Sequence, residues 1–256
     1  MSATRYYERI IRVLDRVHSL ELGKIRDGGE LIASVISGGG RAYVFGSGHS
    51  VIPVMDIFPR YGSFVGFYPL YDPRLMWSNV VGPNGARELL WIERQEGYVA
   101  QFLQSYPMGP SDCLIVFSHG GLNAAPVEAA LYARERETPV ISVSSLENAR
   151  VSRPTHSSGH ALSDLADIAI DNCVPPEDAQ VDVGRPESIA AGSTIAAVFV
   201  AMALVAEAGA RLVARGYPLT TFVSPNVDGV EENHNLRVFD EYARRWFERG
   251  PEPRVR

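Results

Sequence analysis

CLIVFSHGGLN (residues 113–123) is the stretch whose reading decides the fold. Cys113–Phe117 is an unbroken apolar run, as expected of a strand buried on both faces. It ends in Ser118-His119-Gly120-Gly121-Leu122-Asn123, small and polar residues suited to a turn. A helical pattern follows, with Pro126 suited to a helix N-terminus and the helix running to about Glu137. Strand, small-residue loop and helix, in that order, is the repeating unit of a parallel sheet.

The same unit recurs on either side. Arg41–Phe45 reads as a strand ending in Gly46-Ser47-Gly48-His49-Ser50, and Val140–Val143 as one ending in Ser144-Ser145. Ser63–Phe67 and Ile168–Ile170 complete five strands. Residues 69–88, rich in proline and glycine, read as loop. Helices are expected over Trp91–Gln104, over Glu187–Arg215 and, in the tail, over Asn235–Arg249. Tyr7, Ile10, Ile11, Leu14 and Val17 recur at helical spacing, giving a helix over residues 3–21. Asp27 and Glu30 suit a capping box for a second helix, which Gly38, Gly39 and Gly40 end. The expectation is one α/β domain over residues 1–256, a three-layer αβα sandwich around a five-stranded parallel sheet. A helical arm covers 1–37, the core about 38–215 and a tail 216–256. Tyr6 and Tyr7 on the arm suit packing between subunits or against the arm's own chain.

Composition excludes several classes. The 256 residues carry a net charge of −6, against the basic face of a nucleic-acid binder. Lys24 is the only lysine and lies in the N-terminal arm, which disfavours a Schiff-base mechanism and leaves no P-loop lysine. Cys113 and Cys173 sit in or beside apolar runs and read as buried free thiols, as in a cytoplasmic protein. The N-terminus lacks a signal-peptide core, and no membrane span is expected, the most apolar stretch being Ile195–Val205.

Ligands of open parallel sheets bind beyond the carboxyl ends of the strands, where helix N-termini favour anions. Three such ends here carry glycine and serine, which makes Gly46, Ser47, Gly48, Ser50, Ser118, Gly120, Gly121, Asn123, Ser144 and Ser145 the binding candidates. A dinucleotide is disfavoured, because Val51 takes the sixth position of G-x-G-x-x-G and Ser63–Leu70 contains no acidic residue. No G-x-S-x-G serine-hydrolase motif is present. No cofactor is expected, and two loop histidines without an identified carboxylate partner give no metal site.

VFGSGHS (44–50), IVFSHGGLNAAPVEAA (115–130), PVISVSS (139–145), LSDLADIAIDNC (162–173) and AGSTIAAVFVAMAL (191–204) resemble, in this order, the SIS (sugar isomerase) domain family. The likeness is to a small bacterial branch related to phosphoheptose isomerases. It implies a phosphosugar ligand, aldose–ketose isomerase activity and a homodimer or homotetramer. The second loop of that family usually reads S-x-S-G-x-T. Ser118 and Gly121 match, whereas Gly120 and Asn123 replace two phosphate-facing hydroxyls. Such a departure leaves a sulfonate, a carboxylate or an uncharged sugar open as the ligand group.

Isomerisation needs a base to move a proton between neighbouring carbons and donors to polarise the carbonyl. Glu187, preceding Ala191-Gly192-Ser193-Thr194, is the first candidate for base by resemblance, or else it stabilises a helix N-terminus. His49 and His119 occupy equivalent loops and suit ring opening or proton shuttling. Glu93 and Glu96 share one helix face, by default a solvated one, with a role as alternative base open. His156 and His160 read as loop residues, and the cluster Asn226, Asp228, Asn233, His234 and Asn235 as turn chemistry. The other reading of the whole is a module that senses a phosphosugar without chemistry.

Overall fold

The structure is a computed structural model that describes residues 1–76 and 85–248. Five strands form one parallel sheet: β1 (Ala42–Gly46), β2 (Phe67–Pro69), β3 (Cys113–Phe117), β4 (Val140–Ser144) and β5 (Ile168–Asp171). Their order is β2-β1-β3-β4-β5. Val44 stands beside Ile115, Ile115 beside Ile141, and Ile141 beside Ile168. Alternate residues enter opposite cores. Ala42, Val44, Cys113, Ile115, Phe117, Ile141 and Val143 face one side with Ile25, Ile32 and Leu204. Tyr43, Phe45, Leu114, Val116 and Val140 face the other with Val99, Leu103 and Val127. Burial on both faces is why the strands read as unbroken apolar runs.

The first face is covered by α1 (Ser2–Ser37), α2 (Val51–Ile57) and α7 (Ser193–Ala214); α4 (Tyr98–Leu103) and α5 (Ala124–Arg134) belong to the second. The chain passes from β1 outward to β2, then returns to lay β3 on the other side of β1. That reversal leaves a crevice between the loops after β1 and β3.

Several expectations are corrected. The arm is one helix, and the Asp27–Glu30 pattern does not start a second. Gly28 and Gly29 lie within α1 because α7 packs there: a Cβ on Gly29 would meet Glu207 Cβ at 2.5 Å. The second strand is Phe67–Pro69 rather than Ser63–Phe67, since Phe64 instead pairs with Thr221. Residues 69–88 are not all loop. Pro73–Leu75 forms a 3-10 turn and α3 covers Gly85–Ile92, while 77–84 lie outside the described residues. The helix expected over Trp91–Gln104 is two, α3 and α4, separated by a turn with Gly97 at φ +83°. α5 ends at Arg134 rather than near Glu137, and Pro126 is its third residue. A short helix, α6 (Leu146–Val151), adds to the expected elements.

The largest correction lies ahead of α7. Residues 187–192 are not helical, because a hairpin of β6 (Ala179–Val181) and β7 (Ile189–Ala191) precedes the helix. α7 is 22 residues long and holds an 18-residue stretch of mean hydropathy 1.9, long and apolar enough by composition to cross a membrane, so the apolar stretch is longer than Ile195–Val205. Its inner face, including Ala196, Val200, Leu204 and Leu212, is packed into the core. The tail helix, α8, covers His234–Glu248, and Arg249 lies outside the described residues.

The contact between α1 and α7 gives a stability test. Gly29→Leu must push into Glu207 Cβ and the Ala208 amide, so it should lower the free energy of unfolding by about 1–3 kcal/mol. Gly23→Ala on the same helix meets nothing within 4 Å and should raise it by about 0.5–1 kcal/mol. Urea denaturation of the two variants reads both signs.

Candidate active site

The loop after β1 turns so sharply that a Cβ on Gly46 would lie 2.2 Å from the Ser50 carbonyl oxygen. The loop after β3 closes through Gly121, at φ +64°, whose N–H donates to Ser118 Oγ at 3.1 Å. The Ser145 N–H donates to the His119 carbonyl at 2.9 Å and ties the β4 loop to this one. These turns, with the α7 N-terminus, enclose a cavity of about 310 Å³. His49 and Ser50 line it from the first loop, and Ser118 and His119 from the second. Val143, Asn172, Asp178, Ala191, Ser193, Thr194 and Ala197 complete the wall.

The sequence candidates therefore divide. His49, Ser50, Ser118 and His119 share the cavity, and Gly46, Gly48, Gly120 and Gly121 shape its loops. Ser47 and Asn123 turn instead to Glu93. Ser145 is buried, donating to the Val174 carbonyl at 2.7 Å and capping α6, and Ser144 is buried beside Gly121. Glu187 stands apart in the turn between β6 and β7, 74% exposed and 3.8 Å from Arg185. The structure does not bring it to the cavity. His156 is not a simple loop residue: its Nε2 lies 3.8 Å from Glu96 and 3.9 Å from the buried Glu128.

Sequence reasoning missed Asn172, Asp178, Ser193 and Thr194. Asn172 directly follows β5, the same strand-end signal that marks the other loops. Ser193 and Thr194 stand in the AGST segment after Ala191 and Gly192. Asp178 reaches the cavity only because the β6–β7 hairpin folds back, and no local pattern announces it.

Hydrogen bonding fixes the state of His119. Asn172 Oδ1 accepts the Val174 N–H at 3.0 Å, which turns Asn172 Nδ2 toward His119 Nδ1 at 3.2 Å. Nδ1 is thus an acceptor, and the neutral ring carries its proton on Nε2. His119 Nε2 is buried and has no hydrogen-bond partner among the described residues. An orphaned donor of this kind marks a site awaiting an acceptor. His49 is exposed at the cavity mouth.

Two carboxylates hold the loops in place, Asp178 in the cavity wall and Glu93 behind it. Asp178 accepts from Gly192 N at 2.9 Å, Ser193 N at 2.7 Å and Ser193 Oγ at 2.8 Å, capping α7. Glu93, 9% exposed, accepts from Asn123 Nδ2 at 2.9 Å and Ser47 Oγ at 3.4 Å. Burial raises its pKa above the ordinary carboxylate value, against the lowering effect of Arg94 and these two bonds. Among the described residues no group of three or more His, Cys, Asp or Glu side chains is arranged to hold a metal ion.

A second cavity, about 320 Å³, lies beside Arg41 at the amino end of β1. Arg41 donates there to the carbonyls of Arg245 and Trp246 at 3.2 and 2.9 Å, with its guanidinium carbon 5.3 Å from the centroids of both the Tyr68 and Trp246 rings, which stack on each other. That arginine closes the end of α8, and the cavity is at the wrong end of the sheet for the switch-point rule.

Comparison with known proteins agrees with this geometry. Residues 5–145 match the SIS domain. The chain belongs to the SIS-domain family. It is 33% identical over 244 residues to a UPF0309 protein of Caldanaerobacter subterraneus, covering 94% of this chain and 97% of that one. It is also 33% identical over 248 residues to a UPF0309 protein of Streptomyces coelicolor, covering 96% and 97%. Among solved structures, phosphoheptose isomerases of Neisseria gonorrhoeae and Francisella tularensis superpose with a TM-score of 0.54 each. The first is 13% identical, covering 81% of this chain and 97% of that one; the second is 15% identical, covering 81% and 96%. At that identity the likeness establishes a shared SIS fold.

The Asp178 cap yields a prediction. Asp178→Ala removes the acceptor of the Ser193 N–H and Oγ, while the Gly192 N–H keeps the Asp178 carbonyl at 3.1 Å, and should cost about 1–2 kcal/mol of stability in urea denaturation. Asp178→Asn, which keeps one acceptor oxygen, should lose less.

Proposed function

We propose that this chain is an aldose–ketose isomerase of the phosphoheptose-isomerase type, acting on a sugar derivative held in the cavity beneath the α7 N-terminus. The observation that carries this reading is the buried Nε2–H of His119, which has no partner among the described residues and whose tautomer Asn172 fixes. In the open-chain sugar, that N–H donates to the carbonyl oxygen and stabilises the charge that develops there. The exposed imidazole of His49 removes the proton from the neighbouring carbon, giving a cis-enediol. Returning the proton to the adjacent carbon, as the hydroxyl proton moves to the other oxygen, yields the isomer. No atom is gained or lost, and the scheme calls for no cofactor.

The family resemblance supplies the expectation that the substrate is a sugar phosphate, and phosphorylated pentoses, hexoses and heptoses are the first compounds to assay. Membership of the SIS family supports the sugar more firmly than it supports the phosphate, because Gly120 and Asn123 replace two phosphate-facing hydroxyls. The whole chain is read as one domain. Exposed apolar side chains on α1 (Tyr7, Leu20) and α7 (Ile195, Val213) support a homodimer or homotetramer. The two buried, unpaired cysteines suit a cytoplasmic location. The acidic chain is assigned no nucleic-acid or membrane partner.

Turnover is followed by aldose–ketose interconversion over a panel of sugars and their phosphates. His119→Asn should lower kcat by about 10²–10⁴-fold while leaving the melting temperature near that of the native chain. Glu187→Gln, at an exposed turn, should stay within about twofold. Tight sugar binding without turnover across the panel would replace the isomerase with a sensing module.

A further inference from the structure

Arg41 is a buried charge whose hydrogen bonds end on neutral groups. The residue stands at the amino end of β1 and is 2% exposed. Its guanidinium donates to the Tyr43 hydroxyl at 3.2 Å and to the carbonyls of Arg245 and Trp246 at 3.2 and 2.9 Å. Its Nε is buried and has no hydrogen-bond partner among the described residues. Asp112 takes the Arg41 backbone N–H at 2.8 Å, and among the described residues the guanidinium makes no ion pair. The carbonyls at the end of α8 supply only the partial negative charge of a helix C-terminus. A buried ion is costly unless it is paired and fully hydrogen-bonded.

Arg41 lines the cavity of about 320 Å³, which shares no lining residue with the one that holds His119. Its volume is within the range of small-molecule sites. Arg244 and Arg245 line it as well. Two carboxylates answer these three arginines: Glu241 pairs with Arg244 and Arg245, and Glu248, in the cavity wall, pairs with Arg244. One positive charge is left over, that of Arg41. Tyr217, also in the wall, accepts a hydrogen bond from Arg245, which leaves its own O–H to donate. In a chain of net charge −6, a hollow with surplus arginine draws an anion. We propose that this cavity is a second ligand site and that it takes a phosphate group, free or as the monoester of a small molecule. Phosphate fits better than a carboxylate, because it carries more charge and presents oxygens to arginines on several sides. Bound there, it ties α8, through Arg244 and Arg245, to the start of β1 and to Tyr217 beyond α7. The helix has little else to hold it: Val238 is its one buried residue among those described, and Tyr242 and Trp246 stack on Tyr68. The ligand therefore sets how firmly the tail helix docks. The inference is independent of the isomerase reading.

Calorimetric titration of the full chain with inorganic phosphate and, separately, with glycerol 3-phosphate tests the proposal, the two arms telling a site for the free ion from one for an ester. Saturable binding of at least one is expected. Arg41→Met should weaken it by about tenfold or more, the loss of a hydrogen-bonded charge. Arg244→Gln, at a half-exposed position, should weaken it by about threefold. His119→Asn, in the other cavity, should leave it unchanged. Amide exchange along residues 234–248 should slow when the ligand is bound, while exchange in α5 stays as it was. No saturable binding of either compound would overturn the inference. So would binding that His119→Asn abolishes, binding that both arginine variants leave unchanged, or binding that leaves exchange in α8 untouched. Should Arg41→Met fail to fold, Arg244→Gln and the exchange measurement decide. None of these readouts depends on turnover, so loss of the isomerase reading leaves this one standing, and the reverse.

Discussion

Val44, Ile115 and Ile141 stand shoulder to shoulder across three parallel strands, and the burial of that row fixes the rest of the molecule. A sheet buried on both faces needs helices on both, so every strand must hand the chain to a crossover. β1 sends the chain outward to β2, and β3 brings it back on the other side. The loops after β1 and β3 therefore converge at their carboxyl ends, whatever they contain. α1 and α7 complete the arrangement by clasping at Gly28 and Gly29, which brings the α7 N-terminus over the ends of β4 and β5.

The chemistry follows from what fills those converging ends. Helix N-termini and loop amides make them positive, and in this chain two of its own carboxylates answer that charge. Asp178 caps α7 and Glu93 bridges the β1 and β3 loops. Asp178 lines a cavity walled also by hydroxyls, an amide and two imidazoles. One imidazole, His119, is locked by Asn172 as a donor with no acceptor among the described residues. A spare buried donor in a cavity walled by hydroxyls is what the proposed carbonyl substrate requires.

Most of the sheet is legible in the sequence, because an unbroken apolar run bounded by small residues is what a strand buried on both faces requires. β3 reads to the residue, and β4 and β5 to within one. Gly28 and Gly29 mislead, since glycines inside a helix read as an interruption when they are in fact the contact that admits α7. Glu93 misleads for a related reason. Its spacing from Glu96 suggests one solvated face, but α3 ends at Ile92, and Glu93, whose N–H still donates to the Leu89 carbonyl, continues the face that buries Leu89. Glu187 falls outside the site because β6 and β7 are three residues each, too short for a period to show. Asp178 depends on that hairpin, so nothing local announces it. His49 and His119 are legible as loop residues, but the tautomer of His119 depends on Asn172, 53 positions away.

A crystal structure of the chain with an open-chain sugar or a reduced sugar analogue bound tests the central claim most directly. The account predicts a sugar oxygen from the first two carbons at about 2.6–3.2 Å from His119 Nε2, with His49 facing the neighbouring carbon. A sugar bound in the Arg41 cavity, or one that leaves His119 Nε2 without a partner, would contradict it.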